Sequence, residues 1–105
     1  MRKNVETVVY GEYEWDPAKA AANKRKHGVT FEEATTAFED GRALTLPDSH
    51  EGEERFILIG MSNAARILYV IHAIYEVDED KTRIISARLA GKSEALRYAA
   101  GGEAL

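Results

Sequence analysis

Along the chain the spacing of apolar positions changes near residue 44, from a helical repeat to runs rich in β-branched side chains. "VVYGEYEW" (8–15) alternates loosely, is rich in aromatic and β-branched residues, and predicts a first strand. Asp16 before Pro17 marks a helix start, because Asp accepts an orphan N–H and Pro is pre-shaped for the first helical position. Ala18 to Ala22 favour that helix, and Gly28 after His27 predicts a left-handed stop. A second helix follows at once: Thr30 and Glu33 form a capping box, and Phe31, Ala34, Ala37 and Phe38 recur at helical spacing. From Leu44 onward, "ALTLP", "RFILIGMS", "RILYVIHAIYEV" and "TRIISARL" read as strands, separated by "DSHEGEE", "NAA" and "DEDK". The longer strands have short connections and should form an antiparallel meander. "SEALRYAA" predicts a short closing helix from near Ser93, with a tail that frays beyond Gly101. The class expected is α+β: an antiparallel sheet, two N-terminal helices packed on one face, and a short C-terminal helix.

A strand's side chains alternate between faces, so the register of the last hairpin decides which residues meet. A turn centred near Glu79 sets Val70 opposite Arg88. Arg66, Leu68, Val70 and His72 then share a face with Ile84, Ser86 and Arg88, whereas Ile67, Tyr69, Ile71, Ile85 and Ala87 join Ile57 and Ile59 on the other. The second face is the more continuously apolar, so the helices should cover it. Arg66 and Arg88 would then project together near one end of the hairpin. A slip of one residue would separate them.

At 105 residues and 45% hydrophobic side chains, the chain is long enough for one core and too short for two, giving a single domain over 1–105. It has no cysteine, which excludes a disulfide frame or a thiolate metal site and suits a reducing cytoplasm. No apolar run approaches the roughly 20 residues of a membrane-spanning helix.

A net charge of −4 argues weakly against nucleic acid, but the charges are segregated. Residues 17–27 hold Lys19, Lys24, Arg25 and Lys26 without an acid. Asp48, Glu51, Glu53 and Glu54 crowd one connection, and Glu76, Asp78, Glu79 and Asp80 another. Two arginines and a histidine on a half-exposed sheet face suit phosphate, since guanidinium forks match phosphate oxygens. Each has a plainer use. Either arginine can pair with a carboxylate, His72 within an apolar strand fits a core histidine, and His27 and Lys24 to Lys26 fit cations at a helix C-terminus. Trp15 reads most simply as a core anchor, with base stacking the rarer use. The closely spaced helix pair resembles a DNA-reading motif by spacing, but "VTFEEATTAFED" would present acids to the groove. No phosphate loop, nucleophile elbow or metal-ligand spacing is present, so no cofactor is expected.

Taken in order, "EWDPAKAAANKRKHGVTFEEA", "LTLPD", "GEERFILIG", "RILYVIHA" and "RIISARLAGKSE" resemble the BrnT family of type II toxin–antitoxin toxins, over roughly residues 13–100. The resemblance implies a RelE-like fold and a small ribonuclease that cleaves RNA without a metal and arrests translation. It implies as partners RNA, a ribbon-helix-helix antitoxin, and operator DNA reached only through the antitoxin complex, with a homodimer also open. Carried onto this sequence, its motifs fall on Lys26, His27, Arg66 and Arg88 as catalytic residues and on Trp15 and Ser86 as RNA-binding ones, and Lys24, Arg25, Arg55 and Lys92 are expected to bind RNA beside them. Arg66 and Arg88 would hold phosphate oxygens, Lys26 would stabilise charge and His27 would carry a proton. Only Lys92 and Arg97 supply positive charge after "SAR", where relatives carry a strongly basic run. The alternative expectation is therefore a weak or inactive member that serves as an antitoxin-binding co-repressor.

Overall fold

The computed structural model describes residues 6–48, 54–74 and 81–101, so the expected turn around Glu79, most of both acidic connections and the tail beyond Gly101 lie outside the described residues. The elements are β1 (Val8–Tyr10), β2 (Tyr13–Trp15), α1 (Pro17–His27), α2 (Phe31–Ala37), β3 (Leu44–Asp48), β4 (Arg55–Met61), β5 (Ile67–Ile74), β6 (Thr82–Leu89) and α3 (Lys92–Ala99). The strands form one sheet in the order β1-β2-β6-β5-β4-β3.

Two features depart from expectation. The stretch read as one strand is a hairpin: Gly11 takes φ 62° in the two-residue turn that pairs Tyr10 with Tyr13, a conformation glycine adopts freely. The sheet is mixed and not purely antiparallel, because β2 lies parallel to β6 through Tyr13–Thr82 and Glu14–Arg83. The meander of β3, β4, β5 and β6 is antiparallel throughout, as its short connections require.

The helices begin and end where the caps direct. The Asp16 carboxylate accepts the Ala18 N–H at 2.8 Å, Pro17 opens α1, and Gly28 closes it at φ 70° with its N–H on the Lys24 carbonyl. Thr30 Oγ1 accepts the Glu33 N–H at 3.0 Å and opens α2.

The register of β5 on β6 is one residue off the expected one. Tyr69 faces Arg88 and Val70 faces Ala87, and between Ile71 and His72 the ladder skips Ile85, so that His72 faces Ile84. This irregularity turns both Ala87 and Ile84 to the same side, which strict alternation forbids. The helices therefore cover the face opposite to the one expected. Leu58, Leu68, Val70, Ile84 and Ala87 pack with Trp15, Val29, Phe31, Ala34 and Ala37 into one core. Ile57, Ile59 and Ala73 are buried as well but stand outside that cluster. His72 is a core residue, its ring edge-on to Phe38 with centroids 4.8 Å apart. Gly60 permits the close approach of α2, since a Cβ there would lie 2.8 Å from the Ala37 carbonyl oxygen.

Candidate functional site

The last turn of α1 carries Lys24, Arg25, Lys26 and His27 in succession, the first three exposed and His27 half-buried. Positive charge at a helix C-terminus is favoured by the exposed carbonyls there. The left-handed turn at Gly28 then swings its own carbonyl outward, where it accepts a bond at 3.1 Å from Nη2 of Arg66. Residues 38 apart in the chain thereby meet, and Arg66 is tied to the backbone one residue past His27 and two past Lys26.

Arg66 is held there by α2. Its Nε donates to Glu33 Oε2 at 2.9 Å and its Nη2 to Glu33 Oε1, while Ser62 Oγ donates to the same carboxylate at 2.6 Å. The Arg66 bonds, opposed by desolvation and helped by Ser62, hold the Glu33 carboxyl below the usual carboxylate range. Arg66 is neutralised but not enclosed, with about a third of its side chain (36%) in solvent.

Arg88 is elsewhere. Arg66 is in step with Leu68 and faces α2, whereas Arg88 pairs with Tyr69 and projects from the opposite face of the sheet, with Ser86 beside it. Its guanidinium carbon lies 3.8 Å from the centroid of the Tyr69 ring. Nη1 and Nη2 donate to Oε1 and Oε2 of Glu94, each at 2.9 Å, and the Gly91 N–H reaches Oε1 at 2.6 Å. Glu94 is held below the usual carboxylate range, chiefly by Arg88. The expected single pocket containing both arginines is therefore corrected: the one-residue register difference sends them to opposite faces, and each meets a carboxylate.

Asn23, which the sequence reading passed over, connects the two regions. It is the one buried residue of α1, with Nδ2 donating to the carbonyls of Val29 at 2.9 Å and Ala87 at 2.7 Å, and Oδ1 accepting the Ala87 N–H at 3.1 Å. The side-chain amide completes the edge of β6 beyond the point where β2 stops pairing. It fixes the end of α1 against the strand that carries Ser86 and Arg88. A lone Asn inside an alanine- and lysine-rich helix is the only signal that could have found it.

The remaining expected residues divide. Trp15 is 2% exposed and packs edge-on against Phe31, so its ring is a core anchor and not a stacking platform for RNA, a second correction. Arg55 sits opposite Ala73 and bonds to Asp48 at 3.3 Å, six strand positions or about 20 Å from the Arg66 end of β5, and does not join that meeting point. Lys92 is exposed at the start of α3.

Residues 15–94 match the family model described as "Ribonuclease toxin, BrnT, of type II toxin-antitoxin system". The chain belongs to the BrnT family. The match runs from Trp15 to Glu94 and so takes in both arginine clusters and Asn23. Among solved structures, the chain is similar to the crystallised ribonuclease toxin BrnT of Brucella abortus, at 28% identity and a TM-score of 0.58, over 74% of this chain and 94% of that one. A search of curated proteins finds no match. As a BrnT ribonuclease toxin of a type II pair, the chain has RNA as its substrate class and an antitoxin as its partner.

Proposed function

We propose that this BrnT-family chain cuts RNA by a transfer within the substrate that requires no metal, and thereby inhibits translation. A ribose 2′-oxygen bonds to the adjacent phosphorus, the bond from phosphorus to the 5′-oxygen breaks, and the products carry a 2′,3′-cyclic phosphate and a 5′-hydroxyl. The 2′-hydroxyl proton leaves to a base and another proton is supplied to the departing oxygen. His27 serves as the proton carrier, imidazole being the side chain most often used to move a proton in a transition state. Lys26 and Arg66 stabilise the charge that builds on the phosphoryl oxygens, where preorganised cations contribute most.

The observation that carries this reading is the bond from Arg66 to the Gly28 carbonyl, which joins two cationic segments 38 residues apart in sequence at one exposed corner. Arg88, with Ser86 at its side, grips a neighbouring phosphate as the RNA passes round the end of the hairpin. Lys24, Arg25 and Lys92 add sequence-independent attraction. In this reading the relation to RelE-like toxins extends to action on messenger RNA, a ribbon-helix-helix antitoxin neutralises the chain, and their complex reaches operator DNA. The test is incubation of purified protein with a defined messenger RNA, with and without ribosomes, followed by mapping of fragment ends.

One observation favours a second reading. Arg66 and Arg88 both face carboxylates, which suits a protein that retains the fold to bind its antitoxin and repress transcription without cutting RNA. Arrest of growth on expression in a bacterial host supports the first reading; expression without arrest supports the second.

A further inference from the structure

The carboxylate of Glu94 occupies the fork of Arg88 as a phosphate would, with two parallel donors to two oxygens. Its position does not depend on Arg88 alone, because the Gly91 N–H at the start of α3 also holds it. The helix that carries it is lightly attached. No residue of α3 is buried, Leu96 is 54% exposed, and among the described residues the side-chain bond besides those of Glu94 that ties α3 to the body runs from the Tyr98 hydroxyl to Asp40 at 2.6 Å, at the opposite end of the helix. Both ends of α3 are thus fastened by polar contacts that water can replace, and the side chains between them, such as Ala95, are at most half-buried. A partly exposed carboxylate–guanidinium pair is weak and screened by salt, so a polyanion can displace it.

From this arrangement we infer that Glu94 sets the affinity of this chain for RNA by competing with phosphate for Arg88, with α3 as the strap that keeps the competitor in place. The inference rests on the reading of Arg88 as a phosphate-gripping residue. RNA binds fully only as Glu94 withdraws and the Tyr98 fastening yields. A chain of net charge −4 that places one of its acids on its own phosphate fork binds RNA more weakly than its cations alone permit.

The experiment measures binding of a short single-stranded RNA made uncleavable by 2′-O-methyl groups, using fluorescence anisotropy. Glu94→Gln removes the charge but keeps an oxygen for the Gly91 N–H. It is expected to tighten binding about threefold to tenfold, the scale of one partly screened charge-assisted contact. In the Arg88→Ala background the same substitution should give no gain. Tyr98→Phe, which loosens the other end of α3, should tighten binding in the same direction and provides the test if Glu94→Gln folds poorly. Unchanged or weaker binding in a folded Glu94→Gln protein overturns the inference, and so does an equal gain with Arg88 absent. If Arg88→Ala alone weakens binding while Glu94→Gln changes nothing, competition fails and the reading of Arg88 stands. If neither changes affinity, both fail.

Discussion

Asn23 meets Ala87 twice, accepting its N–H at 3.1 Å and donating to its carbonyl at 2.7 Å, as a neighbouring strand would. α1 has no other buried residue, so these bonds, with that to Val29, dock a mostly polar helix on the sheet. Replacing Asn23 with alanine leaves buried backbone groups of β6 unpaired, a cost of about 2–4 kcal/mol. Thermal unfolding followed by circular dichroism should show a midpoint roughly 10 °C or more lower. Asn23→Asp should cost at least as much, because it loses both donated bonds and buries a carboxylate.

Acid should weaken the fold through the carboxylates that hold the arginines. Glu33 and Glu94 both lie below their ordinary value of 4.5 in the folded chain, chiefly through Arg66 and Arg88 respectively. A depressed carboxyl contributes stability that is fully present above its unfolded value and is lost as pH falls through the lower folded value. Denaturant midpoints should therefore be steady with respect to these groups above pH 4.5 and decline below it. Glu33→Gln should flatten part of that decline; an unchanged acid slope in this variant would show that the pair does not stabilise the fold.

His72 predicts a slope at milder pH. Burial pushes its pKa below the ordinary 6.5, with Phe38 and Phe56 as its ring neighbours. Between the folded and unfolded values the unfolded chain binds more protons, so stability is full above 6.5 and falls as pH drops from there through the folded value. Titration of the His72 ring by NMR should give a midpoint under 6.5. His72→Phe should abolish this part of the pH dependence while filling the same apolar space.

Much of this architecture is readable from side-chain chemistry alone. Asp16-Pro17 and Gly28 bound α1, Thr30 opens α2, and the β-branched runs give β4, β5 and β6 at nearly their observed limits. The registers are not readable in the same way. An extra residue at Ile85 leaves no mark on the apolar pattern, yet it decides which side of β6 Ala87 and Ile84 take. A one-residue difference was enough to carry Arg88 away from Arg66. One junction was legible as residue types, since Arg66 does reach the carbonyl of Gly28, the residue that follows Lys26 and His27 in the chain. Their carboxylate partners were not, because Glu33 reads as a capping residue and Glu94 as an ordinary first-turn acid until the fold brings them to the arginines.

The same geometry separates the effects of the arginines. Arg88→Ala removes a partly exposed ion pair and a contact with Tyr69, and should cost about 1 kcal/mol of stability. Under the proposed function it should lower kcat/KM for RNA about 10- to 100-fold, mainly through KM, as one charge-assisted phosphate contact does. Arg66→Ala should lower kcat as well, and should destabilise more, because Glu33 loses its partner. Steady-state kinetics beside unfolding curves for both variants check the contrast.

The most direct measurement is the chemistry of the cut ends when the protein acts on a defined messenger RNA in the presence of excess chelator. Fragments ending in a 2′,3′-cyclic phosphate and beginning with a 5′-hydroxyl, formed at the same rate with and without chelator and lost in Lys26→Ala and His27→Ala, are the predicted result. Cleavage that stops on chelation, leaves 5′-phosphates, or persists in both variants would contradict a metal-free cut at the corner formed by α1 and Arg66.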